Sequence, residues 1–273
     1  MHRGRPYGWT MPSASSDPAI SADAITGRLR AAGCVFAEEE ALLLVKSASS
    51  ADALRAMVSE RVTGVPLEHV VGWAEFCGLR IVIDPGVFVP RRRSELLARR
   101  AAELAVPGSA VIDLACGSGA IGAAIASLAA DIELHAADID PAAVACARRN
   151  LEPVGGNVYL GDMYEPLPGR LCGQVSVIAA NVPYVPTEAV ALMPPEARDY
   201  EPLLALDGGP DGLDVLRRAA AGAASWLMPG GHVLIETASR QADRAVTAFA
   251  AAGLTASVIR DDELGATVVT ARR

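Results

Sequence analysis

The sequence predicts an α/β fold, a largely parallel sheet with helices on both faces, preceded by a small helical region. Two observations carry this. From Glu95 onward short apolar runs alternate with helical patterns, and such alternation closes as parallel strands joined by crossover helices. The last two runs, "TASVIRDD" and "GATVVTAR", follow each other with no helix between them, so they pair as an antiparallel hairpin at the carboxyl end.

The elements follow in order. Between Pro18 and about Val71, "AISADAITGRLRAAG" and "AEEEALLLVKSAS" place apolar residues three and four apart, while "SADALRAMVSERVTG" opens on a Ser/Asp capping signal and stops before Gly64. These predict three short helices, a bundle marginal by itself and suited to docking a partner. "GWAEFCGLRIVIDPGVFVP" is rich in Phe, Ile and Val around Gly78 and predicts a β-hairpin. Then come the strands "AVIDLA", "IELHAAD", "NVYLGD", "QVSVIAAN" and "GHVLIET". The helical patterns among them are "GAIGAAIASLA", "PAAVACARRN", "GLDVLRRAAAGAASWL" and "RQADRAVTAFAAAG".

Composition narrows the function. The 273 residues are 51% hydrophobic, enough for a real core, and the formal net charge of -8 argues against a protein that coats phosphate backbone. Five cysteines (Cys34, Cys77, Cys116, Cys146, Cys172) are odd in number and lack a CxxC pair. Neither a disulfide framework nor a zinc site is expected, and the usage fits a reducing cytoplasm. No run reaches the ~18 apolar residues of a membrane span, and "MHRGRPYGWTMPSASSDP" lacks the apolar core of a signal peptide. Residues 1–16 are expected to form a flexible tail.

In an open α/β sheet, ligands bind outside the carboxyl ends of the strands. After the first strand, "DLACGSGAIG" (Asp113 to Gly122) sets a carboxylate at the strand end, then Gly117 and Gly119 for a tight turn and close backbone approach to a ligand. The G-x-G-x-x-G spacing alone fits a plain strand-helix turn, or a nicotinamide or flavin cofactor. Asp138, nineteen positions past Gly119, is placed to accept both ribose hydroxyls of a nucleoside. Asp162 in "GDMYEPL" is placed either to accept from an adenine amino group or simply to cap a turn.

The fourth strand runs into "NVPYVPTEA". At a strand end beside an adenosine-containing ligand, Asn181 and the Val182 carbonyl can each accept one N–H of a planar NH2 group. Tyr184 supplies a flat face, and Pro183 fixes the backbone that spaces the two acceptors. No Ser-His-Asp or Cys-His set competes. His2, His69, His135 and His232 are scattered and read as surface or packing residues.

These residues resemble class I S-adenosylmethionine-dependent methyltransferases and, within them, the HemK-like protein-(glutamine-N5) methyltransferases that modify peptide-chain release factors. The resemblance runs from about Arg61 to the carboxyl terminus. It rests on "GVFVPRRRSELL", "VIDLACGSGAIG", "ADIDPAAVACARRN", "NVPYVPTEAVALMPPEARDYEPLLALDGGPDGLDVLRR" and "LMPGGHVLIETASRQ". It implies a Rossmann-like seven-stranded sheet with the last strand antiparallel, over residues 95–273. It further implies a helical substrate-docking domain (17–72) and a β-hairpin linker (73–94). Contacts to S-adenosylmethionine are implied at Asp113, Ala115, Gly117, Gly119, Asp138, Ile139, Asp162, Met163 and Asn181. The family's Asn-Pro-Pro-Tyr falls on Asn181, Val182, Pro183 and Tyr184, which implies that the target amide is held by Asn181 and the Val182 main-chain oxygen.

Three departures mark a diverged relative. Val182 replaces a proline but keeps the required carbonyl. "PRPETE" becomes Pro90-Arg91-Arg92-Arg93-Ser94-Glu95, with two arginines where a proline and an acid are usual, near the expected cofactor mouth, an altered rim that fits a different substrate, although an arginine run is usually a solvated face. "LIETAS" stands for a typical Glu-Ile-Gly, and "LGATVVTARR" lacks an arginine usual near there. The implied activity is methylation of a protein glutamine amide, with a release factor as partner and no membrane association. The alternatives are a nucleic-acid base amine or a small-metabolite nitrogen as acceptor, and a cofactor-binding protein without catalysis. Nucleic acid is disfavoured by the acidic balance.

Overall fold

The computed structural model describes residues 21–273, in two compact units, one ending at Val71 and the other spanning Gly72–Arg273. The tail expected over residues 1–16 lies outside the described residues.

The first unit is helical: α1 (Ala22–Ala31), α2 (Ala37–Ser47), α3 (Ala51–Val62) and α4 (Leu67–Val71). Ser21 and Ser50 cap α1 and α3, each hydroxyl accepting from the backbone N–H three residues on, at 3.3 and 3.1 Å. Ile25, Leu29, Ala41, Leu44 and Val58 form the core. Within this unit Arg61 Nε donates to Glu40 Oε2 at 2.6 Å, with both residues buried. Helix α4 is one more than the three predicted, and its five residues are too few for a periodic signal to register.

The second unit opens with the expected hairpin, β1 (Trp73–Phe76) paired antiparallel with β2 (Leu79–Val82) around Cys77 and Gly78, both in the left-handed region. After it come α5 (Glu95–Leu104), β3 (Ala110–Leu114), α6 (Ala120–Leu128), β4 (Glu133–Asp138), α7 (Pro141–Leu151), β5 (Asn157–Leu160) and β6 (Val175–Ala180). Two short helices, α8 (Thr187–Val190) and α9 (Pro195–Tyr200), lead to α10 (Asp214–Trp226), β7 (Leu227–Glu236), α11 (Ala242–Ala251), β8 (Thr255–Asp261) and β9 (Ala266–Arg272).

The seven strands are ordered β5-β4-β3-β6-β7-β9-β8. Strands β3 to β7 pair in parallel, and β9 runs antiparallel to both β7 and β8. The carboxyl hairpin is therefore present, with its second strand inserted beside β7, a partner choice that hydropathy does not encode. Strand β7 also starts earlier than "GHVLIET": Val175 pairs with Leu227 and Val177 with His232, so Met228–Gly231 is taken up in a register shift.

Both faces of the sheet are covered. Val111, Val177 and Leu234 pack with α5 and α6 residues such as Leu97 and Ile125, while Ile112, Ile178 and Ile235 pack with Leu216 of α10 and Phe249 of α11. This two-sided burial is why the central strands read as near-continuous apolar runs, interrupted only by Asp113 in β3 and Ser176 in β6. The chain runs outward from β3 through β4 to β5, then returns to lay β6 on the other side of β3. The carboxyl ends of β3 and β6 thus flank the point where strand order reverses, where a crevice opens.

Candidate active site

A cavity of about 230 Å³ occupies that point, walled by residues following β3, β4, β5 and β6, by α10, and by the turn that precedes α5. Ala115, Gly117, Asp138, Ile139, Asp162, Met163, Asn181, Val182, Pro183 and Tyr184 all lie on its wall. Asp113 and Gly119 do not.

The loop after β3 is built from left-handed residues: Ala115 (φ 54°), Gly117 (54°) and Gly119 (78°). Ala115 holds this conformation with a side chain, the kind of strain that collects at binding loops. A Cβ at Gly117 has no atom within 4 Å, whereas one at Gly119 would press on Leu151 and Ala147 at 3.1–3.2 Å. Gly117 therefore bares backbone at the wall, and Gly119 serves the packing of α6 on α7. Asp113 is wholly buried behind the loop. Its Oδ2 accepts from the Gly122 N–H at 2.8 Å and its Oδ1 has no partner. Burial pushes its carboxyl up to about 8, with the nearby charge of Asp138 adding to the effect.

Asp138 accepts from the backbone N–H of Gly117 through Oδ2 (2.8 Å) and of Asp140 through Oδ1 (2.9 Å). Each oxygen keeps a lone pair for a ligand hydroxyl. The first bond also ties the β3 loop to the end of β4, and the second holds the turn that follows. Beyond Asp138 the wall continues over half-exposed Ile139 to Met163, another left-handed residue (φ 50°). Asp162 accepts from Arg218 of α10, and both residues line the cavity.

At the end of β6, Asn181 Nδ2 donates to the buried Ser94 Oγ at 3.2 Å. That bond engages the amide nitrogen and leaves Asn181 Oδ1 as an acceptor. The Val182 carbonyl likewise accepts no hydrogen bond among the described residues, so two acceptors stand next to each other on the wall. The backbone beyond them is braced. Val185 N–H donates to the Leu206 carbonyl (3.1 Å), Gly208 N–H donates to the Val185 carbonyl (2.8 Å), and Gln241 Nε2 donates to the Tyr184 carbonyl (3.0 Å). A Cβ at Gly208 would lie 2.6 Å from the Pro183 carbonyl oxygen, and one at left-handed Gly212 would run into the Tyr184 carbonyl. Gly208 and Gly212 of "LDGGPDG" are there because two backbones touch, whereas a Cβ at Gly209 would meet the Asp214 side chain.

The arginine run lies at the cavity and is not the solvated face that such runs usually form. Arg92 is exposed, but Arg91 and Arg93 line the cavity. Arg91 Nη2 donates to both oxygens of buried Glu201, at 2.7 and 2.6 Å, and its guanidinium lies over the Phe88 ring. Arg93 reaches Tyr184 and Glu236. Neither carboxylate could be paired with its arginine from sequence spacing, since each lies more than a hundred residues away. Ser94 and Arg218 carry no local signal either, their partners Asn181 and Asp162 lying 87 and 56 residues away. None of His69, His135 or His232 is on the wall.

Residues 78–193 match the model of the Methyltransferase small domain family. A release factor glutamine methyltransferase of Geobacter sulfurreducens is 37% identical over 203 residues, covering 74% of this chain and 70% of the relative. The chain belongs to the release factor glutamine methyltransferase family. A second member of that family, from Mycolicibacterium smegmatis, is 35% identical over 245 residues, covering 83% of this chain and 86% of the relative. The fold itself recurs more widely. The crystal structure of a ribosomal protein L11 methylase from Lactobacillus delbrueckii subsp. bulgaricus superposes with a TM-score of 0.50 at 19% identity, over 70% of this chain and 83% of that one. The α/β fold with its antiparallel last strand agrees with what the family resemblance implied. Among the described residues of this release factor glutamine methyltransferase family member, no helix is long and apolar enough to cross a membrane.

Proposed function

We propose that this chain is an S-adenosylmethionine-dependent enzyme that methylates the side-chain amide nitrogen of a glutamine in a peptide-chain release factor. The observation that carries the reading is the pair of adjacent uncommitted acceptors, Asn181 Oδ1 and the Val182 carbonyl, on the wall of a cavity that also holds Asp138.

The donor set fits the cofactor. Asp138 keeps a lone pair on each oxygen for a ribose diol, Ile139 and Met163 offer apolar contact to a purine, and Asp162 offers an acceptor for an amino group. Gly117 and Ala115 would hold the amino-acid end, with buried Asp113 behind them. S-adenosylmethionine supplies an electrophilic methyl group.

This chain's residues present the nucleophile. An amide nitrogen is weakly nucleophilic because its lone pair is delocalised into the carbonyl. When Asn181 Oδ1 and the Val182 oxygen each accept one N–H, electron density on nitrogen rises and the lone pair is aimed. Orientation of two bound reactants is worth roughly 7–11 kcal/mol at best. One N–C bond forms as the S–C bond breaks, and the nitrogen then releases a proton to water. No base within the site is needed at the outset.

The test is transfer of labelled methyl from S-adenosylmethionine to a purified release factor. Label is expected in the wild-type factor and absent once the glutamine of its Gly-Gly-Gln segment is replaced. Label that persists after that replacement would rule the acceptor out.

A further inference from the structure

Arg93, Tyr184 and Glu236 come from three distant parts of the chain and meet beside the cavity. Arg93 lies in the turn ahead of α5, Tyr184 follows β6, and Glu236 ends β7. Arg93 Nη2 donates to Tyr184 Oη at 2.6 Å, and Arg93 Nε lies 3.2 Å from Tyr184 Oη and 3.0 Å from Glu236 Oε1. The Tyr184 hydroxyl donates in turn to Glu236 Oε1 at 3.1 Å. Glu236 is 1% exposed, and Arg93 is its ion-pair partner among the described residues.

This network decides what Tyr184 can do. Its oxygen accepts from Arg93 and gives its proton to Glu236, so the hydroxyl has no capacity left for a substrate. Burial, then the charge of Glu236, push the phenol up to about 12, so it holds its proton. What remains to Tyr184 is a ring face, clamped at its far end by an ion pair. Removing Arg93 would leave Glu236 buried and uncompensated and would free the ring to turn.

We infer that Arg93 is a positioning residue for methyl transfer, fixing the Tyr184 ring and thereby the angle at which the acceptor amide meets Asn181 Oδ1 and the Val182 carbonyl. The inference rests on the reading of Asn181 to Tyr184 as the acceptor site. Arg93 acts through the tyrosine hydroxyl, which separates it from a residue that merely stabilises the fold.

That separation can be measured. Wild type, Arg93→Ala, Arg93→Lys, Tyr184→Phe and the Arg93→Ala/Tyr184→Phe double variant are assayed with S-adenosylmethionine and a release factor, and cofactor Kd is followed by calorimetry. Arg93→Ala is expected to lower kcat by about 10- to 100-fold, with cofactor Kd within about 2-fold of wild type. Lysine restores part of the rate, since an ammonium reaches one partner but lacks the guanidinium fork. With the hydroxyl already gone, removing Arg93 lowers kcat by no more than about 2-fold further. Fully additive losses, or an unchanged kcat in Arg93→Ala, overturn the inference. If Arg93→Ala loses cofactor binding through misfolding, Arg93→Lys, Tyr184→Phe and the Arg93→Lys/Tyr184→Phe double variant decide by the same non-additivity. Wild-type protein that methylates no release factor overturns the proposed function itself, and this inference with it.

Discussion

Ser94 Oγ accepts a hydrogen bond from Asn181 Nδ2 at 3.2 Å, joining the turn ahead of α5 to the end of β6. With its nitrogen held on Ser94, the Asn181 carboxamide has its oxygen left for the cavity. Ser94→Ala removes this tether while leaving the Asn181 side chain in place. Its kcat is expected to fall by about 10-fold or less, with cofactor affinity unchanged. Steady-state kinetics with calorimetry checks this, and an equal loss in cofactor binding would count against an orienting role.

The Arg91–Glu201 pair joins the β2–α5 connection to the loop that covers the cavity, and Glu201 also accepts from the Val89 N–H at 3.1 Å. The Glu201 side chain is 1% exposed and that of Arg91 31%. Arg91→Ala takes the guanidinium from a buried carboxylate. The expected loss of stability is about 1–3 kcal/mol, discounted from a fully buried pair because Arg91 reaches solvent. Urea unfolding measures it, and a midpoint equal to wild type would show the pair to be neutral.

Gly222 sits inside α10, where alanine normally raises helix stability by up to about 1 kcal/mol. Here a Cβ would lie 2.5 Å from the Tyr164 ring. That ring is fixed by a hydrogen bond from its hydroxyl to the Ala219 carbonyl at 2.7 Å and by stacking on Trp226. Gly222→Ala is expected to destabilise by about 1–3 kcal/mol through overpacking, with a change in tryptophan fluorescence. A stabilised variant would place the ring elsewhere.

Asp113 gives a pH signature. A carboxyl raised to about 8 in the fold and near its ordinary ~3.9 when unfolded keeps its proton longer in the native state. Between those values stability falls as pH rises, because the native state binds the proton that the unfolded chain has released. Asp113→Asn, which stays neutral, is expected to show a flatter Tm profile between about pH 5 and pH 8 than wild type. Parallel profiles would mean that Asp113 is ionised throughout.

The parts legible in the sequence were those encoded locally. The glycine loop, Asp138 on its strand end and the Asn181-Val182-Pro183-Tyr184 turn could be placed because each follows an apolar strand, and the topology brings strand ends together. What stayed hidden is encoded by distance. Nothing near Arg93 announces Glu236, nothing near Asp162 announces Arg218, and the run Arg91-Arg92-Arg93 looks like surface until its carboxylates arrive from far along the chain. Gly119 illustrates the converse. The motif marks it as a ligand contact, yet it lies off the cavity wall, and the Cβ contacts with Leu151 and Ala147 give its packing reason.

Whether Asn181 holds the acceptor amide is decided by measuring kcat on a release factor and cofactor Kd on the same preparation of Asn181→Ala. A kcat lower by about 100-fold or more is expected, with cofactor Kd within a few-fold of wild type. An Asn181→Ala protein that methylates the release factor at the wild-type rate would contradict that role.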